Sequence, residues 1–195
     1  MKWIISAAAL AMAGTALGGC GGSADSGNNA ANALVDVPEK ANLYDVLDGA
    51  SGLDTASDLS KQSGLEDVLK GVGPYTLFLP NDDAFKAAGD LSSSLEGDDQ
   101  RAQRVAFLTA YIVPGYITLN DIQSAVASAN GKPVEMTTMA GGKLTFARDA
   151  GGAITVTGDG GSTAKLSSDE ELASNGAIHG IDTVLATKSS ESETE

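Results

Sequence analysis

One histidine, one cysteine and a few clustered carboxylates are the residues able to carry chemistry in this chain of 195 residues. His179 lies in Asn175-Gly176-Ala177-Ile178-His179-Gly180-Ile181-Asp182-Thr183-Val184-Leu185. As a catalytic base it needs a nucleophile or acid within hydrogen-bond reach. The chain has no Gly-x-Ser-x-Gly and no second histidine, so the favoured reading is a neutral, buried His bonded to a backbone or side-chain oxygen. The single Cys20 excludes an intrachain disulfide, and one His with one Cys makes no zinc-type cluster. Asp169-Glu170-Glu171 offers the hard oxygens that calcium takes, but no Asx-rich loop of EF-hand spacing surrounds it. It reads as a solvated acidic turn. Asp82-Asp83 fits the electrostatics of a helix start better than catalysis. No metal site or cofactor is expected. With Trp3 in the leader, only Tyr44, Tyr75, Tyr111 and Tyr116 remain for a sugar-stacking platform.

The elements that position these residues follow from periodicity. Residues 42–47 and 53–69 carry helical spacing, with Ser63-Gly64 as the junction of two helices. Gly71-Val72-Gly73-Pro74 ends the run. Tyr75-Thr76-Leu77-Phe78-Leu79 is short, aromatic and β-branched, which predicts a buried strand stopped by Pro80. Asn81 is placed to cap a helix that turns Ala84 and Phe85 inward. Residues 91–97 read as a polar loop. A further helix shows an apolar face of Ala102, Val105, Leu108 and Ile112, with Phe107 and Tyr111 alongside, and ends at Val113-Pro114-Gly115. Thr118-Leu119-Asn120-Asp121 has the spacing of a capping box. After Gly131 the period drops to two. Residues 134–139, 143–147, 153–157 and 164–166 read as short antiparallel strands separated by glycine turns. Gly141-Gly142 and Gly151-Gly152 belong to those turns and not to a phosphate loop. Helices first and strands later predict an α+β domain.

The formal net charge of −14 argues against nucleic acid and anionic membranes as partners. At the front, Met1-Lys2-Trp3 precedes an apolar Ala-rich run, residues 4–17, of signal-peptide length and too short to span a bilayer. The run ends in Leu17-Gly18-Gly19-Cys20, which resembles the lipobox of bacterial lipoproteins. That resemblance implies transfer of a diacylglyceryl group to the Cys20 sulfur, then cleavage before Cys20 and acylation of its new amino end, hence anchoring by lipid. Gly21 in place of Asp favours the outer membrane. The expected organisation is a leader at 1–19, a flexible tether at 20–38, a domain at 39–187 and an acidic tail at 188–195.

Residues 75–85, Tyr-Thr-Leu-Phe-Leu-Pro-Asn-Asp-Asp-Ala-Phe, resemble the first motif of the fasciclin family. Residues 175–185 resemble its second, N-G-x-[IV]-H-x-[IV]-D-x-V-L, and Ile112-Val113-Pro114-Gly115 is similar to the V-V-P-G between them. The resemblance implies a β-sandwich of about seven strands with flanking helices. Thr76, Asn81, Phe85, Asn175, Gly176, His179 and Asp182 are its motif residues. It makes the two motif strands neighbours, with Thr76 or Asn81 as the expected partner of His179. Where integrin-binding members have Tyr-His, this chain has Ala110 and Tyr111. Where some have Asp-Ile, it has Glu170 and Glu171. An animal-type integrin site is therefore not implied.

The family's common role is adhesion, without a shared enzymatic activity. The expected function is a non-catalytic, envelope-anchored module that contacts a cell surface, matrix or polysaccharide, as a monomer or weak self-associator. Tyr111, Tyr116, Asp169, Glu170 and Glu171 form its candidate binding surface. The alternative is a periplasmic carrier or sensor of a small apolar ligand, held in a crevice between helices and sandwich. An enzyme is the third and least supported option.

Overall fold

The computed structural model describes residues 41–186, Asp90 and Glu96 excepted. The stretches expected to be a leader, a tether with Cys20 and an acidic tail lie outside the described residues. Seven strands form the sheet system: β1 (Tyr75–Pro80), β2 (Ile112–Pro114), β3 (Val134–Thr137), β4 (Lys143–Arg148), β5 (Ile154–Gly158), β6 (Thr163–Ala173) and β7 (Gly176–Ile181). Among the described residues the helices are α1 (Leu43–Gly49), α2 (Asp54–Ser63), α3 (Glu66–Lys70), α4 (Asp82–Ala87), α5 (Leu91–Leu95), α6 (Arg101–Thr109) and α7 (Leu119–Ser128), with a 3-10 turn at Asp98–Gln100.

The strand order is β2-β1-β7-β6-β5-β4-β3. Every pair is antiparallel except β1 with β7, whose parallel register sets Phe78 opposite His179. A register shift between Leu166 and Glu170 bends β6. Its first half pairs with β5 and its second with β7, so one strand serves both layers. The layers meet where Phe78 of β1 packs on Phe146 of β4, ring centroids 4.9 Å apart. The ends nearly close: the Met139 N–H donates to the Ile112 carbonyl and the Ala140 N–H to that of Thr109. The α+β sandwich with flanking helices is as the sequence predicts.

β1 and β7 are buried on both faces; β1 is apolar from Leu77 to Pro80, whereas β7 carries His179 and two glycines among its apolar residues. On β7, Ala177, His179 and Ile181 share the face turned to the other layer. Gly176 has the other parity and meets Leu43 of α1.

The structure differs from the sequence reading in four elements. Residues 91–95 are helical. The helix expected to carry Ile112 ends at Thr109, and Ile112-Val113-Pro114 forms β2, held by three paired positions on β1. β3 stops at Thr137 because the Thr138 N–H turns to the Gly142 carbonyl. The acidic triplet is no turn: Asp169, Glu170 and Glu171 lie inside β6. Pairing with β7 overrides the poor strand propensity of Glu170 and Glu171, while Asp169 lies in the register shift that bends the strand.

Several helix starts are capped from distant elements. Asn42 caps α1 locally, and the Asn175 side chain also accepts from the Leu43 N–H. α2 has no local cap; the Asp82 carboxylate accepts from the Asp54 and Thr55 amides instead. Burial acts to raise the Asp82 pKa, but those amide bonds outweigh it and hold the carboxyl below its ordinary value. Arg104 is buried where α2, α5 and α6 meet, its guanidinium donating to the carbonyls of Gln62, Leu95 and Gly97.

Candidate functional site

The motif residues converge on two buried hydrogen-bond clusters. The first clamps residues 115–119, the link from β2 to α7. Thr76 Oγ1 donates to the Gly115 carbonyl at 2.7 Å and accepts from the Ile117 N–H at 2.9 Å. His179 Nε2 lies 2.9 Å from the Ile117 carbonyl. A carbonyl only accepts, so Nε2 carries the proton and Nδ1 is the bare nitrogen of the neutral ring. The expected buried, hydrogen-bonded His is present, but its partner is Ile117 and neither Thr76 nor Asn81. The reason is geometric: the ladder sets Thr76 opposite Ala177 and Phe78 opposite His179, and the Thr76 and His179 side chains each bond the loop that crosses them instead of each other.

Glu170 completes this cluster. Its Oε2 accepts from the Leu119 N–H at 2.8 Å, at the start of α7, and lies 4.0 Å from His179 Nδ1. Thr118 and Asp121 form the predicted capping box beside it. His179 is fully buried and stacked on Phe78, centroids 5.2 Å apart. Burial pushes its pKa down, against the Ile117 carbonyl and the Glu170 charge, which act to raise it. His179 Nδ1 and the Tyr116 hydroxyl are buried without a hydrogen-bond partner among the described residues. Burial, then the Glu170 charge, pushes the Tyr116 phenol up. The Thr76 hydroxyl is engaged by backbone on both sides, so it is not poised as a nucleophile for His179. The cluster is built to hold the loop.

The second cluster surrounds Asn175. Its Oδ1 accepts from the Leu43 N–H at 2.8 Å, and its Nδ2 donates to the Leu69 and Gly71 carbonyls at 2.8 and 2.6 Å. One side chain thus joins α1, the end of α3 and the start of β7. Gly176 follows where β1 runs too close for any side chain: a β-carbon there would overlap the Tyr75 carbonyl oxygen. The other motif residues are also structural. Asn81 caps α4 through the Ala84 N–H. Phe85 is buried, 6.0 Å from the Phe107 ring. Asp182 Oδ1 accepts from the Lys165 N–H at 2.7 Å.

The candidate surface is only partly brought together. Tyr111 is 0% exposed and belongs to the core. Its hydroxyl donates to the Leu185 carbonyl and accepts from the Leu185 N–H, and burial pushes the phenol far above its ordinary value. It therefore leaves the binding surface. Tyr116 is half-buried, Glu170 is tied to α7, and Asp169 and Glu171 are exposed. Among the described residues no three His, Cys, Asp or Glu side chains gather as metal ligands would.

A cleft of about 530 Å³ lies between α6 and the strands around β4. Gln103, Phe107 and Ala110 line one wall, Lys143 and Leu144 the other, and Leu185 closes it. Its residues come from segments far apart in the chain, so no local pattern marks it.

The sequence pattern of the Fasciclin domain matches residues 51–187. Protein sll1483 of a Synechocystis species is 32% identical over 160 residues, covering 79% of each chain. Among solved structures, a FAS1 domain pair from the insect cell adhesion molecule Fasciclin I matches with a TM-score of 0.54 and 20% identity. That match covers 69% of this chain and 45% of the insect one, and it shows the fold alone. The chain belongs to the fasciclin family, an adhesion and binding class of domain usually found outside the cell or on its surface. Such domains are generally not enzymes. No helix among the described residues is long and apolar enough to cross a membrane.

Proposed function

We propose that this protein is a non-catalytic adhesion module anchored to a bacterial cell envelope, contacting a neighbouring surface, matrix or polysaccharide. The observation that carries the proposal is the Fasciclin domain spanning residues 51–187. The insect structure sharing its fold belongs to a cell adhesion molecule, and the Synechocystis relative gives a bacterial setting. Leu17-Gly18-Gly19-Cys20 supports a lipid anchor at Cys20, with residues 20–38 as tether and the outer membrane as the favoured address. The partner is a neutral or cationic surface, because a chain of charge −14 repels anionic ones. Contact falls on the exposed carboxylates Asp169 and Glu171 and on Tyr116, which lies near Glu170. The protein acts as a monomer or weak self-associator, without cofactor or nucleic acid. Mass measurement of the mature amino end, with and without globomycin, tests the anchor. The expected result is a mature chain that begins at lipid-modified Cys20 and is replaced under the inhibitor by the uncut precursor. A mature chain with an unmodified Cys20 overturns it.

The cleft beside α6 favours a second reading, a carrier or sensor of a small apolar ligand. Its size lies within the usual range for ligand sites, and Phe107, Ala110, Leu144 and Leu185 supply apolar walls. Native mass spectrometry of freshly purified protein tests this reading. A bound lipid or aromatic, displaced by Ala110→Trp, supports it; ligand-free protein argues for adhesion alone.

A further inference from the structure

The chain contains two Asn-Gly dipeptides, Asn130-Gly131 and Asn175-Gly176. This dipeptide is prone to one self-reaction, because glycine's amide nitrogen is unhindered by a side chain. That nitrogen attacks the asparagine Cγ, a C–N bond forms as the Cγ–Nδ2 bond breaks, and ammonia leaves. Water then opens the cyclic imide at either carbonyl, giving aspartate or isoaspartate. The balance is amide plus water to acid plus ammonia, with no oxidant or catalyst.

The fold treats the two sites oppositely. Asn130 follows α7 in left-handed conformation, φ 51°, and Gly131 continues the turn at φ 81°. The turn is closed by one backbone bond, Lys132 N–H to the Ala129 carbonyl at 3.1 Å. The Asn130 amide makes one exposed bond, to the Ser128 carbonyl at 3.2 Å. Gly131 is exposed, with nothing near its Cα where a side chain would stand. Bringing the Gly131 nitrogen onto the Asn130 side-chain Cγ therefore needs only local opening of a surface turn. At Asn175 the side-chain amide is committed to Leu43, Leu69 and Gly71, and its backbone carbonyl accepts from the Tyr75 N–H. Gly176 is wedged against β1. The same rotation there breaks the junction of α1, α3, β1 and β7, which amounts to unfolding.

We propose that Asn130 is a self-deamidation site of the folded protein, while Asn175 is chemically silent until the whole domain unfolds. Asn130 conversion places a new carboxylate near the C-terminal end of α7, where the helix dipole disfavours negative charge. The two positions form a pair of internal clocks, one for age in the native state and one for time spent unfolded.

The test is peptide mapping with isoaspartate detection on the whole chain, aged in warm, mildly alkaline buffer with and without denaturing urea. Without urea, conversion at Asn130 and none at Asn175 is expected. In urea the two sites should react at similar rates, because the fold no longer distinguishes them. Gly131→Ala should slow Asn130 several-fold in urea, where its effect on the folded turn is irrelevant. Asn130 remaining intact in the native protein, or Asn175 reacting alongside it there, overturns the proposal.

Discussion

Thr76 and His179 hold the same residue from opposite sides: Thr76 Oγ1 accepts from the Ile117 N–H and His179 Nε2 donates to the Ile117 carbonyl. The two side chains come from the two motif strands, which the parallel ladder sets beside each other. Their shared target makes them thermodynamically coupled. Thr76→Val and His179→Leu should each cost about 1–3 kcal/mol, because each strands a buried backbone group. The double variant should cost less than the sum, since one side of Ile117 released already loosens the other. Urea unfolding of the four proteins measures the cycle, and strict additivity would contradict the clamp.

His179 also fixes a pH dependence. Its folded pKa lies below the ordinary value of 6.5, so the unfolded chain binds a proton before the folded one does. Stability is therefore complete above 6.5 and declines as the pH falls through that value towards the folded pKa. Asp82 and Asp121 also have lowered pKa values. Their contributions are retained above 3.8 and lost only as the pH falls below it. Thermal unfolding across this range should show a first decline at mildly acidic pH. His179→Gln, which keeps a neutral donor, should flatten that decline and leave the acid one. An unchanged profile in the variant would place the first transition elsewhere.

Asn175 is the residue whose loss should hurt most for its size. Asn175→Ala strands the Leu43 N–H and the Leu69 and Gly71 carbonyls together, at least about 3 kcal/mol by the cost of unmade buried bonds. Chemical denaturation should show a lower midpoint without a large change in slope. A loss below about 1 kcal/mol would mean that water replaces the amide at that junction.

Tyr111 is predicted to be spectroscopically silent. The chain has four tyrosines, and only Tyr111 is fully buried with its hydroxyl locked between the Leu185 N–H and carbonyl. Ultraviolet titration should leave one tyrosine un-ionised until alkaline unfolding. Tyr111→Phe should remove this step and cost about 2 kcal/mol through the two orphaned Leu185 groups. Full ionisation before unfolding would return Tyr111 to the surface.

What could be read from the residues was what they carry locally. β1 announces itself by an apolar run before Pro80, the strand after Asn175-Gly176 by its motif, and the box at Thr118 and Asp121 is a four-residue pattern. Distant partners leave no such trace. Asp82 caps α2, Glu170 caps α7, and Tyr111 meets Leu185 at a separation of 74 positions. Ile112-Val113-Pro114 is a strand only because β1 lies beside it. Glu170 and Glu171 are in a strand because β7 supplies the ladder against their propensity, and Asp169 falls in the register shift just before them. The candidate surface lost Tyr111 for the same reason: a phenol reads as surface chemistry until its buried backbone partner is seen.

Attachment to a solid or matrix-coated surface by a strain lacking this gene tests the adhesion account most directly. Attachment should fall in the deletion strain and return with the wild-type gene but not with Cys20→Ser, which removes the proposed lipid site. Attachment equal to that of the parent strain in the deletion would contradict it.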